Sequence, residues 1–217
     1  MLLQYSTWRR SLEAGRSPLA DGVPWINLGA RFFIEFVLTP EGIVYEYGSG
    51  GSTIFYLKRT RRVYSVEHDP NWFERVRAVM TEKGLTNCDL RLIPPEPVFV
   101  QNGDPEDPAA YSSSDERYKG YSFRRYASSI DSFSDAFFDF VSVDGRARPS
   151  CIYHAHRKVK FGGYLMLDNS DISKYQKAKE LLSGWNKHEF YGPVPYQNNF
   201  TEACIWIRPS SELLTQQ

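Results

Sequence analysis

The stretch Ile-Val-Tyr-Glu-Tyr-Gly-Ser-Gly-Gly-Ser-Thr, residues 43–53, decides how the rest of the chain can fold. Its apolar half, Ile43 to Tyr47, predicts a buried strand. Small residues that predict a tight turn and the start of a helix follow: Gly48, Ser49, Gly50, Gly51, Ser52 and Thr53. Glycines let a ligand approach the backbone closely, and the free N–H groups at a helix start point toward the same place. The stretch therefore predicts a ligand site at a strand–turn–helix junction.

A second apolar run, Val63 to Val66, ends in an acidic residue, Glu67, which lies nineteen residues after Gly48. An acidic side chain at this point can accept two hydrogen bonds from the vicinal hydroxyls of a ribose. The carboxyl ends of parallel strands share one edge of a sheet. The turn and the acid therefore predict a nucleoside-cofactor site at that edge. The alternative is a glycine turn without a ligand in an ordinary α/β domain.

The residues around the glycines indicate which cofactor would bind. The dinucleotide-binding pattern requires a third glycine, and Thr53 stands at that position. A carboxylate, Glu46, lies two residues before Gly48. Such a charge would repel a pyrophosphate but attract a cation. S-adenosylmethionine carries a sulfonium and an ammonium group, so it fits this turn better than a dinucleotide does.

The same residues resemble the first motif of the class I S-adenosylmethionine-dependent methyltransferases, which reads acidic-x-Gly-x-Gly. Glu46-Tyr47-Gly48-Ser49-Gly50 matches it, and Glu67 matches the ribose-binding acid of that family. Three further segments carry the resemblance: Val66-Glu67-His68-Asp69, Val143-Asp144-Gly145-Arg146 and Leu167-Asp168-Asn169. The order of elements over residues 40–208 looks closest to bacterial members of the family. The resemblance implies the fold and the cofactor but no particular substrate.

The resemblance also implies a set of cofactor-binding residues. Glu67 would bind the ribose, and His68 would lie at the adenosine end, although an ordinary loop histidine is an equal alternative. The residues after the third strand would bind the adenine. The residues expected to contact the cofactor are Glu46, Gly48, Ser49, Gly50, Ser52, Thr53, Glu67, His68, Asp144 and Gly145.

Acidic residues also follow the fourth and fifth predicted strands, namely Asp144 and the pair Asp168-Asn169. Adjacent strand ends lie within about 5 Å of each other, and these oxygen ligands favour Mg²⁺. The sequence here resembles the metal-dependent, catechol-type O-methyltransferases. That resemblance implies Asp144, Asp168 and Asn169 as metal ligands, with the metal lowering the pKa of a substrate hydroxyl. Alternatively, these acids cap helices, or Asp144 holds the cofactor's ammonium group.

Asp144 is the candidate catalytic residue, since it is expected between cofactor and substrate. Two nearby cations, Arg146 and Arg148, have two interpretations. They bind an anionic substrate, or they pair with Asp171.

Strands that alternate with helices predict one doubly wound, Rossmann-like α/β domain with a mostly parallel seven-stranded sheet and an antiparallel last strand. Residues 1–39 are expected to form an N-terminal arm and a mostly buried helix, and residues 40–208 the core. The arm either caps the cofactor pocket or covers one face of the sheet. A helix is predicted from Ile152 to Val159, ending at Gly162-Gly163.

Two connections are expected near the ligand. Residues 94–120 are rich in Pro, Gly, Ser and acidic residues and predict a substrate lid. The last two strands are predicted near 185–191 and 202–208, running antiparallel, so that the loop between them lies at the cofactor edge.

Composition narrows the functional class. Lys+Arg and Asp+Glu both number 26, so the net charge is zero and the expected substrate is a small molecule rather than a nucleic acid. The cysteines, Cys88, Cys151 and Cys204, predict buried thiols in a reducing compartment. No segment has the apolar length of a signal peptide core or a membrane span, so a cytoplasmic protein without membrane contact is expected. No oligomeric state is predicted.

The sequence thus predicts an S-adenosylmethionine-dependent methyltransferase that acts on a small molecule, with oxygen as the favoured acceptor atom. One alternative is a nucleotide-dependent oxidoreductase, against which Thr53 counts. The other is a non-catalytic cofactor-binding module, because no His or Lys is placed clearly as a general base.

Overall fold

The computed structural model describes residues 2–98 and 103–210. The helices in these ranges are α1 (Leu2–Ser11), α2 (Pro18–Asp21), α3 (Leu28–Val37), α4 (Gly51–Leu57), α5 (Pro70–Glu82), α6 (Arg124–Ala127), α7 (Arg148–Ala155) and α8 (Gln176–Glu180). The strands are β1 (Ile43–Tyr47), β2 (Arg62–Glu67), β3 (Cys88–Leu92), β4 (Glu96–Pro97), β5 (Tyr121–Ser122), β6 (Phe138–Val143), β7 (Val159–Asp168), β8 (Asn186–Pro193) and β9 (Phe200–Ile207). Short 3₁₀ helices occupy Glu116–Tyr118, Ser128–Ser132 and Ser173–Tyr175.

The main sheet has seven strands in the order β3-β2-β1-β6-β7-β9-β8. Neighbouring strands from β3 to β7 pair in parallel, and β9 is antiparallel to both β7 and β8. The predicted fold class is therefore confirmed, including the antiparallel last strand. The strand order reverses at β1 and β6, and open α/β sheets bind ligands beyond the carboxyl ends of the strands at such a point.

The two faces of the sheet bury separate apolar clusters, and β1 contributes to both because successive side chains of a strand point to opposite faces. Tyr45 and Tyr47 pack with Tyr126 on one face. Val44 packs with Ile54 of α4 on the other. All residues of β1 are buried, as expected for a central parallel strand covered on both sides.

The N-terminal arm is held against the start of α4. A Cβ atom added to Gly51 would lie 2.2 Å from the carbonyl oxygen of Pro18 and 2.3 Å from that of Val23. Only a glycine leaves room for α2 at this position. Elsewhere along the arm, the Trp8 indole donates to the Gln197 carbonyl (3.1 Å), and the Tyr196 hydroxyl donates to Asp21 (2.7 Å). The arm is thereby tied to the loop between β8 and β9.

Two predicted helices differ from the structure. The helix predicted to reach Val159 ends at Ala155, because Val159 is the first residue of β7 and pairs with Phe138 of β6. Gly162 and Gly163 consequently lie within β7, where the pairing with β6 shifts register. The helix predicted as mostly buried, α3, buries a single face: Phe36 is 86% exposed.

The predicted lid segment begins and ends in a small hairpin, since β4 and β5 pair antiparallel. Its residues 99–102 lie outside the described residues. Of the remainder, Tyr111 contacts α7: its N–H donates to the Ser150 hydroxyl, and its own hydroxyl lies 3.2 Å from His154 Nε2. The segment is thus packed onto the body of the domain on this side.

Within residues 2–98 and 103–210, no helix combines the length and the apolar character that crossing a bilayer requires.

Candidate functional site

A cavity of about 1110 Å³ opens at the carboxyl edge of the sheet, beside the point where the strand order reverses. Its walls come from the arm, the glycine turn, the ends of β2, β6 and β7, one face of α5, the predicted lid segment and the β8–β9 loop. Residues 17–20 and Trp25 belong to this wall, so the arm borders the cavity. The β8–β9 loop contributes Val194 and Gln197.

Two glycines of the turn have different roles: Gly48 packs against a neighbouring loop, and Gly50 faces the cavity. Gly48 has φ +94°, and an added Cβ would lie 2.9 Å from the Gly145 Cα atom, so Gly48 serves the contact between two loops. At Gly50, by contrast, an added Cβ would meet nothing closer than 3.8 Å, an atom of Trp72. Gly50 lines the cavity and leaves open space beside its backbone. The close approach of a ligand is therefore available at Gly50.

Glu67 is the centre of a hydrogen-bond network at the end of β2. It is buried, with 2% of its surface exposed. Its Oε2 accepts hydrogen bonds from the N–H (3.1 Å) and the hydroxyl (3.0 Å) of Ser49. Its Oε1 accepts from the N–H groups of His68 (2.7 Å) and Asp69 (2.9 Å), and the Nδ1 atom of His68 lies 2.8 Å away. Glu67 therefore joins the glycine turn to the start of α5.

The pKa of Glu67 results from opposing effects. Burial raises it, but the hydrogen bonds from His68 and from the Asp69 N–H outweigh burial, so the pKa lies below the ordinary value. The side chain is ionised at neutral pH. An ionised acid accepts hydrogen bonds at both oxygens, which suits the two hydroxyls of a diol.

The lid segment reaches the cavity through Tyr118. Its hydroxyl lies 2.8 Å from Nε2 of His68, and the two rings meet edge-on. Asp115 of the same segment forms an ion pair with Arg146, at 3.2 Å, on the turn that follows β6. The segment thus spans the cavity between the ends of β2 and β6. Its role as a substrate lid stays a prediction.

Glu46 and Thr53, which the sequence predicts as direct cofactor contacts, do not line the cavity. Both are fully buried beneath the glycine turn, because Glu46 projects to the face of β1 that α4 covers. The Thr53 hydroxyl donates to Glu46 (2.6 Å) and accepts from the Gly50 N–H (2.9 Å), and the Ser65 hydroxyl also donates to Glu46 (2.7 Å). In this structure both residues support the turn from below.

Replacing Thr53 with valine should lower the free energy of unfolding by about 2 kcal/mol, since it leaves the buried Gly50 N–H without an acceptor and removes one of the two hydrogen bonds to Glu46 Oε2. Thr53→Ser is the matched control, because it keeps the hydroxyl and should remain close to wild type. Urea unfolding followed by circular dichroism measures both. Equal losses in the two variants would contradict the relay from Gly50 to Glu46.

The charge of Glu46 gives folding a defined pH dependence. Burial raises its pKa to about 7, although hydrogen bonds from Ser52, Thr53 and Ser65 oppose the change. The unfolded chain, with the ordinary pKa of 4.5, releases this proton first, so stability falls as the pH rises from 4.5 to 7.

The loss expected over that pH window is about 3 kcal/mol, and Glu46→Gln should abolish it. The measurement is the difference in unfolding free energy between wild type and Glu46→Gln at pH 4.5, 6 and 8. As the pH rises, the unfolding free energy of the wild type should fall relative to that of Glu46→Gln. A difference that is constant with pH would contradict a raised pKa at Glu46.

Asp144, Asp168 and Asn169 converge as the sequence predicts, but they converge on an arginine. The Arg148 guanidinium donates to Asp144 Oδ1 (2.9 Å) and to Asn169 Oδ1 (3.2 Å), and it lies 3.8 Å from Asp168 Oδ2. It also donates to the Asp168 carbonyl oxygen. Of the two interpretations of Arg146 and Arg148, pairing with Asp171 does not occur among the described residues. Arg146 pairs with Asp115, and Arg148 pairs with Asp144 and Asp168.

This arrangement does not fit an Mg²⁺ ion. The oxygens expected to bind the metal are directed at a guanidinium, so an ion among them would meet a like charge at short range. Burial, together with the Asp144 carboxylate, raises the pKa of Asp168 well above its ordinary value, while Arg148 acts in the opposite direction. The expectation of a metal at Asp144, Asp168 and Asn169 therefore finds no support in the geometry.

The structure brings most of the predicted site residues to one cavity. Those on its wall are Gly48, Ser49, Gly50, Ser52, Glu67, His68, Asp144, Gly145, Asp168 and Asn169. Sequence reasoning missed Trp72, whose indole donates to the Ser49 carbonyl (2.7 Å), and Tyr118. It also missed the role of Arg148, whose partners lie at the ends of two different strands.

No family model and no curated protein sequence matches this chain. Solved structures do match it in fold. An O-methyltransferase from Bacillus cereus in complex with SAH (S-adenosylhomocysteine) superposes with a TM-score of 0.60 at 13% identity, over 94% of this chain and 87% of that one. A putative rRNA methylase from Clostridium thermocellum gives 0.55 at 13% identity, over 84% and 96%. A methyltransferase-like protein from Silicibacter pomeroyi gives 0.51 at 20% identity, over 85% and 89%.

The descriptions of these structures name different acceptors. At such low sequence identity the similarity concerns the fold. The chain has the Rossmann-like fold of the class I S-adenosylmethionine-dependent methyltransferases.

Proposed function

We propose that this chain is an S-adenosylmethionine-dependent methyltransferase that acts on a small-molecule acceptor, with oxygen as the favoured atom. The observation that carries the proposal is the cavity at the reversal of strand order, which puts Gly50, Glu67 and Asp144 on one continuous wall. The fold shared with methyltransferases adds to it. S-adenosylmethionine would supply a methyl group activated by its sulfonium.

The residues present fit this cofactor at several points. Gly50 leaves open space beside its backbone, and Glu67 offers an ionised carboxylate close by. Among the described residues, the buried Oδ1 of Asp168 has no hydrogen-bond partner, and Asp168 borders the same cavity. A buried acceptor without a donor suits an ammonium group. The site therefore offers acceptors for both polar ends of the molecule.

The predicted cofactor residues would contact different parts of S-adenosylmethionine. Glu67 would receive ribose hydroxyls in exchange for the hydroxyl of Ser49, with His68 at the adenosine end. The turn residues Gly48, Ser49, Gly50 and Ser52 would border the methionine end, supported from below by Glu46 and Thr53. Asp144 and Gly145 would separate cofactor from acceptor.

The remaining wall indicates a small acceptor. Trp25 and Val194 provide apolar contact, while Gln197 and Thr201 provide hydrogen-bonding groups. Small-molecule sites combine apolar contact with placed polar groups, and this wall also carries the cations Arg75, Arg117 and Arg146. In this proposal the carboxyl group of Asp144 would accept a proton from an acceptor hydroxyl. The zero net charge offers little attraction to a nucleic-acid backbone.

The test is methyl transfer from tritiated S-adenosylmethionine to a panel of hydroxylated small molecules, with ribosomal RNA as the comparison acceptor. Transfer to a small molecule by the wild type, lost in Asp144→Asn, would support the proposal. Transfer to RNA alone would overturn the acceptor class. Cofactor binding without transfer to any acceptor would favour the non-catalytic binding module.

A further inference from the structure

We propose that the guanidinium of Arg148 is a built-in cation that takes the place of a divalent metal ion at the carboxyl ends of β6 and β7. The proposal deepens the proposed function, on which it rests for its catalytic meaning. The cation site itself can be tested on the protein without any cofactor or acceptor.

All three nitrogens of the Arg148 guanidinium donate hydrogen bonds to protein oxygens. Nη2 donates to the carbonyl (3.2 Å) and the carboxylate (2.9 Å) of Asp144. Nη1 donates to the Asp168 carbonyl and to Asn169 Oδ1, while Nε donates to the Gly145 carbonyl at 3.1 Å. All these acceptors are oxygens from two neighbouring strand ends. They form the kind of ligand shell that a hard cation receives in proteins.

Arg148 lies in a largely buried environment. Its side chain is 13% exposed, and the Tyr175 ring centroid lies 5.8 Å from its Cζ atom. Burial lowers the pKa of Arg148, but Asp144, Tyr175 and Asp168 together outweigh burial, so the guanidinium stays charged. A permanent positive charge is therefore fixed between two acidic side chains.

The Arg148 guanidinium and a divalent metal ion cannot occupy this site together. Mg²⁺ binds oxygen at about 2.1 Å in an octahedral arrangement. The oxygens that would supply it are already 2.9 Å and 3.2 Å from guanidinium nitrogens. An ion at their centre would contact those nitrogens and repel their charge. Arg148 must therefore leave before a divalent ion can bind.

Two residues close to this cation have a positive φ angle. Ala147, just before Arg148, has φ +48°, and Asn169, just after β7, has φ +51°. Asn adopts this left-handed conformation readily, but Ala seldom does, and such strain at Ala147 persists where surrounding contacts enforce it. Arg148 bonds to groups beside both residues. We therefore assign Arg148 as a positioning residue that fixes Asp144 and Asp168 at the cavity wall.

The experiment measures Mn²⁺ binding by electron paramagnetic resonance on the cofactor-free protein. The wild type should bind no Mn²⁺ at this site. Arg148→Ala should bind one ion, because it frees the oxygens of Asp144, Asp168 and Asn169, and its affinity should exceed the weakest affinity that the measurement can detect by at least about tenfold. Adding Asp168→Asn to the Arg148→Ala variant should remove that ion.

Two results would overturn the proposal. One is a wild-type protein that binds one Mn²⁺ and loses it on Asp168→Asn substitution. The other is a folded Arg148→Ala variant, verified by circular dichroism, that binds no Mn²⁺. Arg148→Gln replaces Arg148→Ala if the latter does not fold, and the wild-type measurement needs neither variant. Since no step requires S-adenosylmethionine, a failure here differs from a failure of the proposed function.

Discussion

Replacing Gly51 with alanine should destabilise the fold by about 3 kcal/mol, because the new methyl group overlaps backbone atoms. Its Cβ would lie 2.2 Å and 2.3 Å from the carbonyl oxygens of Pro18 and Val23. To make room, the arm segment of residues 18–23, which carries both oxygens, must shift away from α4. The variant should therefore lose the docked arm, and limited proteolysis should cleave it near residues 12–24 faster than the wild type.

The neighbouring Gly50 provides the matched control. Its backbone is extended, and an added Cβ would be no closer than 3.8 Å to any neighbour, so Gly50→Ala should change stability by less than about 0.5 kcal/mol. The methyl group would instead enter the cavity and weaken S-adenosylhomocysteine binding at least about tenfold. Urea unfolding and calorimetry separate the two effects. Equal destabilisation by both substitutions would contradict the assignment of Gly51 to packing and Gly50 to the ligand.

Glu67→Gln is the second substitution with a large expected effect. The buried carboxylate accepts hydrogen bonds from Ser49, His68 and Asp69, and an amide would turn its NH₂ group toward some of these donors. Leaving buried donors without an acceptor should lower the free energy of unfolding by about 3 kcal/mol. Binding of S-adenosylhomocysteine should weaken about a hundredfold, because the ribose acid and the shape of the turn are lost together.

The control for this substitution is Glu74→Gln. Glu74 lies on α5, is 55% exposed and pairs with the exposed Arg77, so its charge should contribute almost nothing to stability or binding. Both proteins are compared with the wild type by urea unfolding and by calorimetry at the same pH. A Glu67→Gln protein that binds the ligand like Glu74→Gln would show that Glu67 is a structural acid only.

The elements around the glycine turn were predictable because their signals are local. A strand, a glycine turn and a helix start follow each other within residues 43–53, and the acid Glu67 ends the next apolar run. The direction of Glu46 was also readable in principle. Tyr45 and Tyr47 share one face of β1, so Glu46 must point to the other face, beneath α4.

The remaining features depend on contacts between distant segments. Tyr118 meets His68, a residue fifty positions away, and no periodic pattern marks that contact. Arg148 collects oxygens from two strand ends, so its partners at Asp168 and Asn169 could not be inferred from spacing alone. In the sequence, Val159 is compatible both with the apolar stripe of a helix and with the first position of a strand. The pairing with β6 decides between the two, and that pairing is a tertiary contact.

The central claim is that the cavity beside Gly50 and Glu67 binds an adenosyl donor, and isothermal calorimetry with S-adenosylhomocysteine and with NAD tests it most directly. We expect S-adenosylhomocysteine to bind the wild type with one molecule per chain and NAD to show no saturable binding. Saturable binding of NAD without binding of S-adenosylhomocysteine would contradict the account and would favour an oxidoreductase.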